Sequence, residues 1–354
     1  MAFRRLLTRT RIRLPRRLFF AALAVALFMA VGEGIIRLGG WATLPQETVF
    51  TDVYDPDYRL LPGAPNPFAQ MEDFFNGSGF RGPDLTMPKP TGVVSIVCTG
   101  DSTTHGAFTD VDKTYTALLA AGLQRRGLHV EALNAGIPGT TLWQQRRLIE
   151  QRLLDYQPDL LVMYASPGFS EKLLYLRRAM EDGFVLREVQ RGLAGFHGYR
   201  LLRRWLRPPR FGDVIHQYES DPAKRVDVAT AFHFARRDVE IVRQKAVAQG
   251  VKILVVPLLE REAFAQARER GLHADDAAWP PLLHEVNTAM NLLDTATELG
   301  VPSLNAADAF LERSYREALF VDEVHFTPGG HALMADLLTE EICRRKWLPA
   351  PCLR

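Results

Sequence analysis

From Thr91 onward, short apolar runs alternate with longer segments of helical periodicity. The first run is rich in β-branched residues and lies between Gly92 and Gly100, as expected of a buried central strand. Strands that alternate with helices form a parallel sheet whose crossover helices cover both faces. The sequence therefore predicts an α/β domain built on a buried parallel sheet.

The predicted elements can be placed along the chain. Strands are expected at residues 93–99, 129–133, 159–164, 251–256 and 301–304. Helices are expected at residues 114–126, 142–156, 229–249, 282–299 and 329–345. Residues 166–228 interrupt the alternation, so they are predicted to form an insertion after the third strand.

The first strand ends in Gly100-Asp101-Ser102, and a short loop separates it from the first helix. Ser102 therefore lies at the carboxyl end of a parallel strand, where open α/β sheets bind their ligands. A serine hydroxyl is a weak nucleophile unless a neighbouring base accepts its proton and a third group orients that base. Ser102 is a candidate nucleophile, and the alternative is that it only caps the helix that follows.

A candidate base and its orienting carboxylate lie together near the end of the chain. Asp322 and His325 are three residues apart, so the carboxylate can reach the imidazole within its own loop. Ser102, His325 and Asp322 are thus predicted to be nucleophile, general base and orienting carboxylate. The alternative for this loop is a capped turn with a surface histidine. His105 is expected to be a surface or capping histidine, and His331 to be structural.

Three sequence blocks resemble those of the SGNH hydrolases, also called the GDSL esterase/lipase superfamily. They are Gly100-Asp101-Ser102, Asn134-Ala135-Gly136 and the pair Asp322 and His325. The resemblance covers roughly residues 76–346 apart from the insertion. It implies an esterase that needs no cofactor or metal. It also implies that the backbone N–H groups of Ser102 and Gly136 donate to the oxyanion.

The fourth block of the family departs from its usual pattern here. The family carries Gly-x-Asn-Asp after the third strand, and the asparagine side chain donates to the oxyanion. The simplest register places Ala165 at the glycine and Pro167 at the asparagine. Proline offers no donor, and losing one oxyanion donor typically costs about 10²–10³ in turnover. A hydroxyl from Ser166, Thr140 or Thr141 is the alternative donor.

The N-terminal residues have the pattern of a membrane segment. Residues 18–31 are apolar throughout, and with residues 32–38 the run reaches about the 20 residues that span a bilayer. An arginine cluster without acidic residues precedes it, which favours a cytoplasmic N-terminus. We predict a basic cytoplasmic segment (residues 1–17), a transmembrane signal anchor (residues 18–38) and a periplasmic catalytic domain. A cleaved signal peptide is the alternative, and a buried core helix fits poorly with the arginines.

Residues 39–90 are rich in Pro, Gly, Asp and Asn and are predicted to be an extended linker that packs on the domain of residues 91–346. Residues 76–83 resemble a segment of membrane-anchored bacterial members of the family, and a well-packed turn is expected there. The insertion contains a basic amphipathic piece at residues 199–209. A lid or substrate-binding role, contact with anionic lipid, and a helical cap with solvated arginines are the alternatives for it. Residues 347–354 form a tail.

Composition excludes several other classes. The net charge of the 354 residues is only +2, which gives no reason to expect nucleic acid as a partner. The sequence has no Cys/His cluster of zinc spacing, no Gly-x-x-x-x-Gly-Lys loop and no Gly-x-Gly-x-x-Gly motif after a strand. Cys98 is expected to be a buried small hydrophobe, whereas Cys343 and Cys352 could pair in an oxidising compartment.

These features together predict a three-layer α/β/α flavodoxin-like sandwich, with five parallel strands in the order 2-1-3-4-5 and an N-terminal transmembrane helix. The predicted function is hydrolysis of acyl esters, meaning O-acyl groups on envelope carbohydrate or lipid, and the expected partners are that substrate and the membrane. One alternative is an O-acyltransferase with the same triad. The other is a non-catalytic domain that binds glycan or assembles an envelope complex, because Pro167 replaces the asparagine.

Overall fold

The structure is a computed structural model that describes residues 16–39, 60–67, 72–166, 177, 193, 196–205, 228–348 and 352. Contacts divide the chain into two compact units. The first comprises the described residues of Met1–Leu44 and Gly183–Arg210, and the second those of Pro45–Asp182 and Phe211–Arg354. Most of the predicted basic N-terminus, most of the insertion and the position of Pro167 lie outside the described residues.

The described elements are named here in chain order. The strands are β1 (Val94–Gly100), β2 (Val130–Gly136), β3 (Leu160–Ala165) and β4 (Lys252–Pro257). The helices are α1 (Arg16–Gly39), α2 (Ser102–His105), α3 (Tyr115–Arg125), α4 (Leu142–Gln151), α5 (His197–Trp205), α6 (Val228–Ala248), α7 (Arg261–Glu269), α8 (Trp279–Val286), α9 (Asn291–Glu298), α10 (Ala307–Ser314) and α11 (Pro328–Arg345). Short 3-10 helices occupy Val111–Lys113, Leu153–Tyr156 and Thr288–Met290.

The first unit pairs α1 with α5. Helix α1 is long and apolar enough to cross a membrane or to act as a signal sequence. Its apolar side chains are exposed, Phe28 by 77%, so α1 is not the buried core helix that was one alternative. Near the C-terminal end of α1, the Glu33 carboxylate accepts hydrogen bonds from the backbone N–H groups of His197 at 2.7 Å and Gly198 at 2.8 Å. Glu33 therefore supplies acceptors for the first N–H groups of α5, which have no partner within that helix.

The second unit contains the sheet, whose strands are all parallel and run in the order β2-β1-β3-β4. The parallel sheet and the order of its first four strands are confirmed. The predicted fifth strand at residues 301–304 is wrong. Only an isolated bridge joins Ser303 to Val255, with the Val255 N–H donating to Pro302 O at 2.9 Å. Pro302 has no N–H to donate, so a regular ladder is not continued through it.

Side chains of β1 alternate between the two faces of the sheet, as strand geometry requires. Val94, Ile96 and Cys98 belong to one apolar cluster, which also contains residues of α3 and α11. Val97 belongs to the other, which contains residues of α4 and α6. Both faces of the sheet are thus covered by helices, and each fully buried aliphatic side chain contributes about 1.5–3 kcal/mol to folding. The result is a three-layer arrangement of helices, sheet and helices.

Part of the predicted linker belongs to this core. Leu60, Phe75 and Phe80 are at most 2% exposed and pack in the same cluster as Val97. The described residues 60–67 and 72–93 are therefore a structural part of the second unit rather than a spacer.

At the other end of the chain, Cys343 of α11 and Cys352 form a disulfide.

Candidate active site

The candidate nucleophile lies on a tight strand-to-helix turn. β1 ends at Gly100 and α2 begins at Ser102, with Asp101 as N-cap accepting the Thr103 N–H at 2.8 Å. The turn needs glycine at position 100, because a Cβ there would lie 1.9 Å from Thr104 Oγ1 and 2.9 Å from Tyr164 O. Ser102 is half-buried and occupies the first turn of α2 at the carboxyl end of the sheet.

Asp322 and His325 lie on the loop before α11, and the loop is held by its own hydrogen bonds. The Val321 N–H donates to His325 O at 2.8 Å. Asp322 Oδ1 accepts the N–H groups of Val324 at 3.0 Å and His325 at 2.9 Å. Asp322 Oδ2 lies 2.7 Å from His325 Nδ1. Burial raises the pKa of Asp322, but these hydrogen bonds outweigh it and hold the pKa below its usual value.

The structure brings Ser102 and His325 together although they are 223 positions apart in the sequence. His325 Nε2 lies 2.8 Å from Ser102 Oγ. Because the Asp322 carboxylate can only accept, Nδ1 carries the ring proton in neutral His325 and Nε2 presents a lone pair to the serine hydroxyl. Thr103 Oγ1 also donates to Val324 O at 3.2 Å, which ties the two loops together. The arrangement can transfer a proton from Ser102 to His325.

Gly136 does not have the role predicted from the sequence. It is the last residue of β2, and its N–H already donates to Asn134 Oδ1 at 3.1 Å. A Cβ at this position would lie 2.3 Å from His105 N and 2.7 Å from Thr104 C. Glycine is therefore required because α2 packs directly on the end of β2. The prediction that the Gly136 N–H faces the oxyanion is corrected accordingly.

A second glycine that was not singled out from the sequence, Gly139, lies in the turn after β2. Residues 137–140 form a β-turn in which the Thr140 N–H donates to Ile137 O at 3.2 Å and Gly139 has a φ of +79°. Thr140 Oγ1 donates to Gly100 O at 3.1 Å, which attaches this turn to the end of β1. Gly139 is exposed, and its N–H donates to no described residue. The dipeptide Pro138-Gly139, typical of a type II turn, is the signal that could have found it.

The hydroxyls proposed as substitute donors are partly engaged elsewhere. Thr140 Oγ1 donates to Ile137 O at 2.8 Å as well as to Gly100 O. Thr141 is the N-cap of α4, and its N–H donates to Gln144 Oε1 at 3.1 Å in a capping box. Ser166 follows β3 at the same edge of the sheet. The expectation for Pro167 falls outside the described residues.

Two further histidines near the turn are buried. His105 is 0% exposed, with Nδ1 3.3 Å from Gly136 O and Nε2 3.3 Å from Asn66 Oδ1, so the expected surface position is wrong. Burial, followed by the positive charge of Arg81, lowers its pKa to about 3. Burial also lowers the pKa of His331 to about 3, and its Nδ1 accepts the Tyr115 N–H at 3.3 Å. Both rings are therefore neutral structural groups.

Arg81 supports the loop that follows the nucleophile. Its side chain is 1% exposed, and its guanidinium donates to His105 O at 2.9 Å, Gly106 O at 2.6 Å and Thr109 O at 2.7 Å. Its Nε donates to Asp73 Oδ2 at 2.8 Å. The expected well-packed turn at residues 76–83 thus carries a buried cation that holds three carbonyls of residues 105–109.

Among the residues that the structure describes, no group of three or more His, Cys, Asp or Glu side chains could hold a metal ion. The groups described next to the Ser102 hydroxyl are a base, His325, and the carboxylate that orients it, Asp322. This combination suits nucleophilic attack on an acyl carbonyl.

The sequence matches no protein-family model, and no curated protein matches it significantly. Solved structures do align with it. One is an acetyl xylan esterase, with 15% identity, a TM-score of 0.44, and coverage of 70% of this chain and 100% of its own. Another is a lipolytic G-D-S-L family member from Veillonella parvula, with 15% identity, a TM-score of 0.41, and coverage of 71% and 99%. A third is an acetylxylan esterase from Geobacillus stearothermophilus, with 15% identity, a TM-score of 0.43, and coverage of 70% and 94%.

These alignments cover 94–100% of each solved structure, with TM-scores of 0.41–0.44. At identities of 15% the likeness concerns the course of the backbone, and the substrates of those proteins are theirs alone.

Proposed function

We propose that this chain is a serine esterase that hydrolyses acyl esters. The observation that carries the proposal is the continuous hydrogen-bonded series from Ser102 Oγ to His325 Nε2, at 2.8 Å, and from His325 Nδ1 to Asp322 Oδ2, at 2.7 Å. An ordinary helix cap or a surface histidine has no need of such a series. A nucleophile with a base oriented by a carboxylate does.

The reaction follows from this geometry. Ser102 Oγ attacks the ester carbonyl while His325 Nε2 takes its proton, and Asp322 stabilises the imidazolium. The N–H groups of Ser102 and Gly139 donate to the oxyanion that forms. The protonated Nε2 then gives its proton to the leaving alcohol, and an acyl-serine remains. Water, activated by His325, releases the acid and restores Ser102.

Labelling with a fluorophosphonate tests the nucleophile. We expect the wild type to label and Ser102→Ala not to label, whereas Ser78→Ala, which changes a half-buried serine outside this turn, labels as the wild type does. A wild type that folds and never labels would contradict the esterase and favour a binding domain. Product analysis with an added sugar alcohol distinguishes hydrolysis from transfer, since transfer gives an acylated acceptor instead of free acid.

We also propose that α1 anchors the chain with its N-terminus in the cytoplasm, so that the second unit lies in the periplasm and acts on envelope glycan or lipid. The arginines before the helix support this orientation, and the Cys343–Cys352 disulfide suits an oxidising compartment. A periplasmic reporter fused after Arg354 is expected to be active and the full-length chain to remain in the membrane fraction. An inactive reporter would contradict the orientation, and a shortened soluble chain would indicate a cleaved signal peptide.

A further inference from the structure

One aromatic residue beside the candidate triad has no part in the steps above. Phe108 lies in the loop after α2, is 40% exposed, and its ring meets the His325 ring edge to face, with centroids 5.2 Å apart and planes at 85°. A phenylalanine side chain with this exposure contributes little to a hydrophobic core. Phe108 therefore flanks the His325 imidazole at the candidate active site.

The backbone of Phe108 has an uncommon conformation. Its φ is +67°, in the left-handed region that bulky side chains rarely adopt. Such a conformation persists only where the surroundings enforce it, and it concentrates at functional sites. Here the carbonyls on both sides of Phe108 are held by Arg81, which donates to Gly106 O and Thr109 O. The Ala107 N–H donates to Ser102 O at 3.0 Å, which joins the same loop to the nucleophile turn.

Arg81 is itself fixed. Asp73 Oδ2 accepts both Arg81 Nε at 2.8 Å and Asn66 Nδ2 at 2.9 Å, so the guanidinium has a defined orientation. The planar fork of an arginine can hold several carbonyls at once, whereas an ammonium group cannot reproduce that geometry. The exposed ring is thus presented by a rigid, buried support.

Phe108 contacts the ring of His325, so the role of His325 in the reaction indicates which half of the ester lies near Phe108. In the proposed reaction His325 Nε2 gives its proton to the leaving alcohol, so the alcohol oxygen must come within hydrogen-bond distance of that atom. A side chain that flanks the imidazole therefore lies beside the alcohol half of the ester. The face of a phenyl ring attracts the weakly positive hydrogens of C–H groups, which a flat saturated ring presents in number.

We infer that Phe108 is a specificity-determining residue that stacks on the ring of a ring-bearing alcohol, such as the C–H face of a pyranose, and that Arg81 is the positioning residue that holds it there. The inference rests on the proposed esterase function. In this inference Phe108 selects the alcohol half of the ester.

The test compares two acetate esters, an O-acetylated methyl pyranoside and ethyl acetate, on the full-length protein. The readout is the ratio of kcat/KM for the pyranoside to that for ethyl acetate. We expect Phe108→Ala and Phe108→Leu to lower this ratio roughly tenfold, and Phe108→Tyr to retain it, because stacked aromatic contacts exceed the effect of apolar area alone. An unchanged ratio, or equal losses on both esters, would overturn the inference.

The role of Arg81 has a separate test. Arg81→Lys is expected to lower the same ratio as Phe108→Ala does, and to lower it no further when both substitutions are combined, since both act through one contact. Asp73→Asn, a milder change to the same support, provides the comparison if Arg81→Lys does not fold. Additive effects would contradict the positioning role. A wild type inactive on both esters and unlabelled by fluorophosphonate would instead contradict the esterase itself.

Discussion

Asp322 holds His325 at two points, by the ring Nδ1 at 2.7 Å and by the backbone N–H at 2.9 Å. The backbone contact fixes the loop and the ring contact fixes the tautomer. Because both come from one carboxylate three residues away, the orientation of the imidazole depends only on local chain geometry. The two contacts explain how the loop presents the His325 imidazole to Ser102 in a fixed orientation, although the Asp322 side chain is 44% exposed.

Replacing Asp322 by Asn should therefore impair turnover more than folding. The amide can donate to Nδ1, which favours the wrong tautomer and leaves Nε2 protonated toward Ser102. We expect kcat to fall by roughly 10³–10⁴. The measurement is steady-state hydrolysis of a short acyl ester, with Glu323→Gln as the neighbouring control that leaves kcat within about twofold. A loss of less than tenfold for Asp322→Asn would argue against its orienting role.

Gly136 and Gly139 should respond differently to alanine. At Gly136 the new Cβ meets backbone atoms at 2.3 Å and 2.7 Å, so we expect a loss of about 3 kcal/mol or more in the free energy of unfolding. At Gly139 the main strain is the positive φ, which costs about 1–2 kcal/mol.

The activity of the Gly139→Ala variant is the more informative number. A shifted turn displaces the proposed oxyanion donor, and removing one such donor costs about 10²–10³ in kcat. We therefore expect Gly139→Ala to lower kcat by about 10–10³. Urea unfolding and turnover measured on both variants decide the matter. Wild-type turnover in a folded Gly139→Ala protein would exclude the donor role.

Stability should fall on mild acidification. The folded-state pKa values of His105 and His331 are lowered to about 3, whereas the unfolded values lie near 6.5. Between these values the unfolded chain binds more protons, so each histidine removes up to about 1.4 kcal/mol of stability per pH unit as the pH falls. Urea unfolding near pH 7 and near pH 5 should show the loss.

Substitution shows whether the buried histidines cause the pH dependence of the free energy of unfolding. His331→Gln is expected to flatten this pH dependence, whereas His284→Gln, which changes an exposed histidine, should leave it as it is. The same free energy of unfolding at both pH values in the wild type would show that the buried rings are not the source.

The three cysteines give a simple count. Cys98 is buried, and burial raises the pKa of its thiol to about 12, while Cys343 and Cys352 are joined. We expect maleimide to modify none of them in the folded oxidised protein, one after unfolding without reductant, and all three after unfolding with reductant. Two reactive thiols in the folded protein would contradict the disulfide.

The parts of the site that depend on local pattern could be predicted from the sequence. A β-branched run ending in Gly-Asp-Ser indicates a strand-to-helix turn, and the spacing of Asp322 and His325 places both on one loop. The structure brings Ser102 to His325, as that hypothesis requires, and their catalytic roles remain the proposal to be tested.

The errors arose where distant contacts decide the structure. The second strand is predicted to end at residue 133, yet β2 continues to Gly136, and the buried Asn134 amide donates to Thr104 O at 2.9 Å. That extension carries Gly136 into the sheet and moves the free turn to Gly139. The helix expected at residues 282–299 is broken near Asn287, whose amide donates to Leu258 O at 3.0 Å. Helices α7 and α10 were not predicted at all.

The buried arginine has a practical consequence for anyone preparing the soluble portion. A fragment begun at Thr91, the boundary that strand and helix alternation suggests, would discard Arg81 together with Asp73 and Leu60. The carbonyls of His105, Gly106 and Thr109 would then lose the guanidinium that donates to them. The apolar cluster that contains side chains of β2 would lose Leu60. Recombinant material should start upstream of Leu60, so that the buried guanidinium that supports the loop after Ser102 is retained.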